Sequence, residues 1–211
     1  MEISWYGLSC FRLAERGFAT VVTDPYGDIL GLPPLKLKAE VVSISHDAPG
    51  HNYLEAVKGN AHTLIGPGEY EIGNVFIIGI ATEQEKDATA NVLYLFDYEG
   101  LTIAHLGDMH KVPTQAQIEA LEQVHVLLVP VGGGNSLNAA QASEIVSMLE
   151  PNIVIPMHYQ IDGLQIELDS VERFLKEMGI TEVKTENSLK ISASNLPEET
   201  QVVLLTPRSG S

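Results

Sequence analysis

The chain has 211 residues, a formal net charge of −16 and a pI of about 4.7. Such an acidic surface repels phosphate backbones, so nucleic acid is not an expected partner. The single cysteine, Cys10, excludes an internal disulfide and, with no visible signal peptide, predicts a cytoplasmic protein. The longest apolar run, 124–131, is interrupted by His125 and Pro130 and is too short to span a membrane, so no membrane partner is expected.

The first half of the chain predicts short strands separated by turns. Two strand pieces flank Gly7 within the first 15 residues, and a polar, acidic stretch at 82–89 predicts an exposed loop. Residues 54–59 predict a short helical turn. The other predicted strands of this half are 18–23, 41–45, 62–65, 69–72 and 75–80.

The second half predicts alternating strands and helices. A hairpin with strands at 91–97 and 101–106 turns at Glu99-Gly100, and Thr114 and Asn138 are typical caps of the two helices that follow. Strands first and helices later favour two sheets packed face to face with helices outside. No shift in composition marks a boundary, so one domain over 1–211 is expected. The remaining predicted elements are strands at 124–131, 153–157, 188–193 and 201–206 and a helix at 169–178.

Ligand-type side chains follow three of the predicted strands. Imidazole and carboxylate groups bind Zn²⁺, Fe and Mn in proteins, and a common sheet edge could gather the three sets. From the residues alone, a metal site and ordinary strand-end histidines are equally supported. The sets are His46, Asp47 and His51 after 41–45, Asp108 and His110 after the hairpin, and His158 after 153–157.

Other chemically capable residues favour structural roles. His105 and His125 fall within predicted strands, which indicates packing, and His62 begins a strand with no evident partner. The glycines at 132–134 lie between a strand and a helix but lack a phosphate-binding pattern, which favours a tight turn. Cys10 beside an aromatic residue is typical of a small buried hydrophobe.

The order SHxxxxH, GPGEYE, HLGD, PVGGG and VIPMHY resembles the metallo-β-lactamase fold superfamily. It is most similar to the small, single-domain branch regarded as metal-dependent hydrolases, which includes ascorbate-lactonase-like proteins. The likeness runs from residue 3 to about residue 159 and is strongest at 105–108 and 155–159. It implies an α/β protein of the α+β type, a four-layer αββα sandwich with metals at one edge between the sheets.

The superfamily signature H-x-H-x-D-H falls on this chain with two departures. Its first and last histidines are His46 and His51, but Ala48 and Gly50 stand where the second histidine and the aspartate belong. Leu8 stands where relatives often have a histidine. A further family histidine has no secure match; His62 is one candidate. The resemblance implies metal binding by His46, His51, Asp108 and His158.

These departures predict a reduced site that holds either one metal ion, zinc or another divalent transition metal, or none. The leading hypothesis is a hydrolase that cleaves an ester, lactone, amide or phosphodiester of a small-molecule substrate by metal-activated water. His46, Asp47 and His110 remain open as acid or base. The alternative is a non-catalytic protein that keeps the fold as a binding or structural module, and a homo-oligomer is compatible with both.

The same departures predict a way to restore the signature. Ala48→His with Gly50→Asp would rebuild it, and both changes fall in a predicted loop, where added volume is expected to be tolerated.

Overall fold

The computed structural model describes residues 1–82, 91–121 and 123–210, except the side chain of Ile29. Apart from Thr82, the loop predicted at 82–89 lies outside the described residues. The strands of the first half are β1 (Glu2–Gly7), β2 (Cys10–Ala14), β3 (Val21–Thr23), β4 (Leu37–Lys38), β5 (Val41–Ile44), β6 (Val57–Lys58), β7 (His62–Ile65), β8 (Gly68–Ile72) and β9 (Val75–Ala81). Those of the second half are β10 (Val92–Asp97), β11 (Thr102–His105), β12 (Val126–Pro130), β13 (Ile153–Met157), β14 (Lys184–Glu186), β15 (Leu189–Lys190) and β16 (Gln201–Leu205). The helices are α1 (Gln115–Ala120), α2 (Ala139–Leu149) and α3 (Val171–Glu177).

Two mixed sheets make up the sandwich. The first has the order β15-β1-β2-β3-β5-β7, and the second has the order β14-β16-β13-β12-β11-β10-β9-β8. Strands β3, β5 and β7 run parallel, as do β11, β12 and β13. The carboxyl ends of these parallel strands therefore lie together at one edge of each sheet, which is where α/β proteins place their sites.

The hydrophobic core lies between the sheets. Trp5 and Phe11 from the first sheet and Tyr94 and Phe96 from the second are fully buried in one cluster. Every residue of β12 is buried, because one face of that strand meets the core and the other lies under a layer of helices. The expected α/β sandwich is thus confirmed.

The helices all follow strands of the second sheet in the described part of the chain. Thr114 and Asn138 cap α1 and α2 with capping boxes to the residues three positions on, as predicted. The outer face of the first sheet is covered differently, by an irregular segment, 26–37, with one 3-10 turn at Asp28–Leu30. Its residues Tyr26, Leu30, Leu32, Leu35 and Leu37 pack with Cys10, Val22 and Val42 of the sheet.

Some predicted elements are shorter than the sequence pattern. Strand 188–193 is paired only at Leu189–Lys190 and then becomes a 3-10 turn, and strand 18–23 begins only at Val21 because Phe18 N closes a turn on Glu15 O. The helical turn at 54–59 is a 3-10 turn over Leu54–Ala56. In the described chain, no helix has both the length and the apolarity needed to cross a membrane.

Candidate metal centre

Three ligand-type side chains meet where strands of the two sheets end. One atom each of His46, His51 and Asp108 lies within 4.8 Å of the others. His46 and His51 belong to the loop after β5, and Asp108 follows β11 of the opposite sheet. His46 Nε2 lies 3.8 Å from Asp108 Oδ2, and the two imidazole centroids are 4.1 Å apart.

His158, which follows β13, approaches the other carboxylate oxygen of Asp108. Its Nδ1 lies 3.8 Å from Asp108 Oδ1, and its ring centroid lies 5.5 Å from that of His51. The backbone at His158 is left-handed, with φ of 51°, and its N–H donates to Leu8 O. A Cβ at position 132 would lie 2.2 Å from His158 O, so only glycine permits the backbone segments at 132 and 158 to approach this closely.

Asp24 directly follows β3 and was not among the predicted site residues, but its carboxylate holds the His51 ring in place. Its side chain is 1% exposed and accepts hydrogen bonds from Ser45 N at 2.7 Å and Ser45 Oγ at 2.6 Å. His51 Nδ1 lies 2.9 Å from its Oδ2. The proton on Nδ1 therefore faces Asp24, and Nε2 is left as the metal-binding nitrogen. The sequence signal that could have identified Asp24 is a carboxylate directly after a buried strand.

Asp24 and His51 each shift the pKa of the other in the direction that favours its charged form. Burial by itself would lower the pKa of His51, but the hydrogen bond and charge of Asp24 outweigh it and raise that pKa. Burial would likewise raise the pKa of Asp24, but the hydrogen bond and charge of His51 keep it below its ordinary value. At pH values below the pKa of His51 the two groups form a buried ion pair, and metal binding would displace the proton from His51 Nε2 while Nδ1 keeps its proton toward Asp24.

The other two histidines are neutral near pH 7. Burial lowers the pKa of His158 to about 4, against the opposing charge of Asp108. Burial and then the charge of His51 lower the pKa of His46. Metal binding requires neutral imidazole, so both side chains are in the form that a metal ion needs.

Asp108 carries the observation most specific to a cation. Its Oδ1 is buried and has no hydrogen-bond partner among the described residues. Its backbone N–H donates to Asn91 Oδ1, and Asn91 Nδ2 donates to Leu106 O, so the strand end is held firmly. A buried carboxylate oxygen without a donor is costly. His158 stands beside this oxygen and His46 beside Oδ2 of the same carboxylate, an arrangement that fits one divalent metal ion.

A cavity of about 660 Å³ opens over these residues. His110 lines it, and His110 Nε2 is buried without a hydrogen-bond partner in the described chain. Asn91 and Asn135 contribute amides and Glu167 a carboxylate. The apolar side chains that line it are those of Ala48, Pro49, Ile166 and Leu168.

The backbone at Gly50 contradicts the expected tolerance of the loop to substitution. Gly50 is buried with φ of +102°, and a Cβ there would lie 2.9 Å from Leu30 Cδ1 and 3.6 Å from Leu8 Cδ1. Two leucine side chains therefore occupy the space beside the position where the superfamily signature has a carboxylate. The expectation that position 50 accepts added volume is wrong, because the loop there is packed as a core.

Gly50→Asp is accordingly expected to lower the free energy of unfolding by about 1–3 kcal/mol, from backbone strain and overpacking together. Urea unfolding measures it. Gly17→Asp is the matched control, because Gly17 has φ of +90° but nothing within 4 Å of an added Cβ. Equal losses in the two variants would show that the leucines yield and that only backbone strain matters.

The remaining candidates lie apart from this group. His62 pairs with Val41 at the start of β5, the end opposite His46, so it does not supply the further family histidine. His105 is buried and its Nε2 donates to Ser9 O, and His125 Nδ1 accepts from Thr102 N. Asp47 is exposed and accepts from Asn52.

Comparisons with known proteins find chains similar to this one. Residues 2–158 match a family described as the β-lactamase superfamily domain. A UPF0173 protein of Pyrococcus furiosus is 31% identical over 206 residues, 84% of this chain and 90% of that protein. A UPF0173 metal-dependent hydrolase of Natranaerobius thermophilus is 24% identical over 188 residues, 75% of this chain and 83% of that one.

One solved structure is similar along nearly its whole length. It is a candidate Zn-dependent hydrolase of the metallo-β-lactamase superfamily from Thermotoga maritima. It superposes with a TM-score of 0.81 at 35% identity and covers 97% of each chain.

Proposed function

Because the chain belongs to the β-lactamase superfamily and to its UPF0173 family, we propose that it is a hydrolase that works with a single bound metal ion. The observation that carries the proposal is Oδ1 of Asp108, which is buried beside His158 and has no hydrogen-bond partner within the described residues. Zinc is the metal that such a set of nitrogen and oxygen ligands suits best. The proposed ligands are His46, His51, Asp108 and His158.

One ion rather than two is supported by what fills the neighbouring space. Ala48 offers only a methyl group, and Leu8 and Leu30 pack beside Gly50. His46 lies with His51 and Asp108 rather than in a separate group. This favours His46 as a ligand of the same ion and leaves His110, whose Nε2 has no hydrogen-bond partner among the residues that the structure describes, as the acid or base.

The residues around the ligands prepare the site for hydrolysis. A bound metal ion would supply Lewis acidity and lower the pKa of a coordinated water molecule. Asp24 orients His51, Ser45 Oγ lies 3.1 Å from His46 Nδ1, and Asn91 anchors the backbone of Asp108. The proposed substrates are esters, lactones, amides or phosphodiesters small enough for the cavity.

Metal analysis tests the proposal. Protein purified without chelator and dialysed against zinc is expected to hold one equivalent per chain and to melt at a higher temperature than chelator-treated protein, since binding to the folded state alone stabilises it. The zinc-loaded protein is expected to cleave at least one of para-nitrophenyl acetate, γ-butyrolactone and bis(para-nitrophenyl) phosphate.

The alternative outcomes are distinct. Two equivalents of zinc would show that other side chains complete a second site. One equivalent without turnover would favour a metal-binding module over a hydrolase. No bound metal and no rise in melting temperature would favour a protein that keeps only the fold.

A further inference from the structure

The candidate metal cavity carries negative charge on its walls. Asp108 lies at its base and Glu167 at its rim, and no lysine or arginine lines it within 1–82, 91–121 and 123–210. A phosphate or carboxylate ligand would need a positive partner to offset its desolvation. The described walls offer none besides the proposed metal ion.

Some cations of the described chain line other cavities. Arg12, Arg16 and Lys190 line one of about 610 Å³, and Lys38 and Lys58 line another of about 640 Å³. Both lie at the far end of the first sheet. Lys190 pairs with Glu2 at the start of β1, whereas Leu8, beyond the end of β1, bonds to His158. These two groups of cations are therefore remote from the metal cavity.

The segment 164–168 forms the rim and is held at both ends. Gln165 N donates to Leu30 O at 3.0 Å, and Leu168 N donates to Gln160 Oε1 at 3.0 Å. Between these bonds, Ile166 and Glu167 face the cavity, and Ile166 is 36% exposed. A carboxylate carried on an anchored backbone beside an exposed aliphatic side chain is a surface that an organic cation with a small apolar body matches.

We propose that the cavity selects a substrate carrying a positive charge, such as an ammonium group, next to a compact apolar part. Glu167 supplies the opposite charge, and Ile166 contacts the apolar part. Naming this ligand a substrate rests on the hydrolase function proposed above. The charge preference itself depends on the cavity walls and not on turnover.

Binding of choline and of neohexyl alcohol tests the proposal, because the two differ only by a quaternary nitrogen in place of a carbon. Calorimetry on zinc-loaded and on chelator-treated protein gives the ratio of the two affinities within each state. Choline is expected to bind about two- to five-fold more tightly, the range of an exposed ion pair. Shifts of the Ile166 methyl resonances on titration locate the bound molecule.

Glu167→Gln is expected to make the affinities for choline and neohexyl alcohol equal. Glu182→Gln is the control, because it makes the same change in net charge at an exposed position that does not line the metal cavity. This control variant is expected to keep the choline preference. Equal affinities in the unmodified protein, a preference that survives Glu167→Gln, or no choline binding in either state would each overturn the inference. If the unmodified protein binds no zinc but still prefers choline, the hydrolase proposal is wrong and the charge preference of the cavity is supported.

Discussion

Replacing Asp24 with alanine is expected to lower the free energy of unfolding by about 3–5 kcal/mol, as for removal of one partner of a buried ion pair. The carboxylate is 1% exposed and is the hydrogen-bond partner of both Ser45 and His51. Without it, His51 must bury its charge alone or give up its proton, and Ser45 N–H loses its acceptor. Chemical unfolding of metal-free protein measures the loss.

The loss is expected to depend on pH. The lowered pKa of Asp24 contributes stability above its unfolded value of about 3.9, and this is lost as pH falls through the folded value. The raised pKa of His51 contributes stability below its unfolded value of about 6.5, and this is lost as pH rises through the folded value. The difference between the protein and Asp24→Ala is therefore largest between those two unfolded values.

Two further variants serve as comparisons for Asp24→Ala. Asp24→Asn keeps the shape and one acceptor oxygen, so its loss is expected to be smaller. Asp162→Ala removes an exposed carboxylate and should change stability little. An Asp24→Ala loss no larger than that of Asp162→Ala would contradict the ion pair.

Asp108→Asn is expected to lower zinc affinity by at least about 100-fold, beyond the loss typical of groups that only orient a ligand. The backbone N–H of residue 108 still bonds to Asn91, so the loop keeps its place while the anionic oxygens are lost. Hydrolysis should fall with zinc occupancy. Competition with a chelating dye measures the affinity.

The same change is expected to leave the metal-free protein at least as stable as before. Oδ1 of Asp108 is buried without a donor, so removing its charge relieves a desolvation cost. A variant that is at least as stable without metal but binds zinc more weakly would show that Asp108 serves binding and not stability. Asp47→Asn, in the exposed loop, is the control; a variant at 108 that is destabilised yet still binds zinc would contradict the assignment.

Local patterns in the sequence predict the scaffold well. The caps Thr114 and Asn138 and the hairpin turn at Glu99-Gly100 depend on neighbouring residues alone, and each is found where it was predicted. The paired two-residue strands β4 and β6 were not predicted, because so short a pairing carries no periodicity and arises from tertiary contact.

Within the site, the ligand-type residues could be identified because they directly follow apolar strands. The support of Asp24 for His51 could not, since 27 positions separate the two residues and their contact depends on the pairing of β3 with β5. The leucines beside Gly50 were missed for a related reason. An irregular segment over the first sheet brings Leu30 there, and no repeat in the sequence marks it.

Leu30 joins two properties that evolution could otherwise change separately. Its side chain abuts Gly50, and its carbonyl anchors the rim that carries Ile166 and Glu167. Substitutions at position 50 and in the rim are therefore expected to be non-additive, because Leu30 contacts both. The two places form one epistatic unit, and natural variation at either is expected to accompany variation at Leu30.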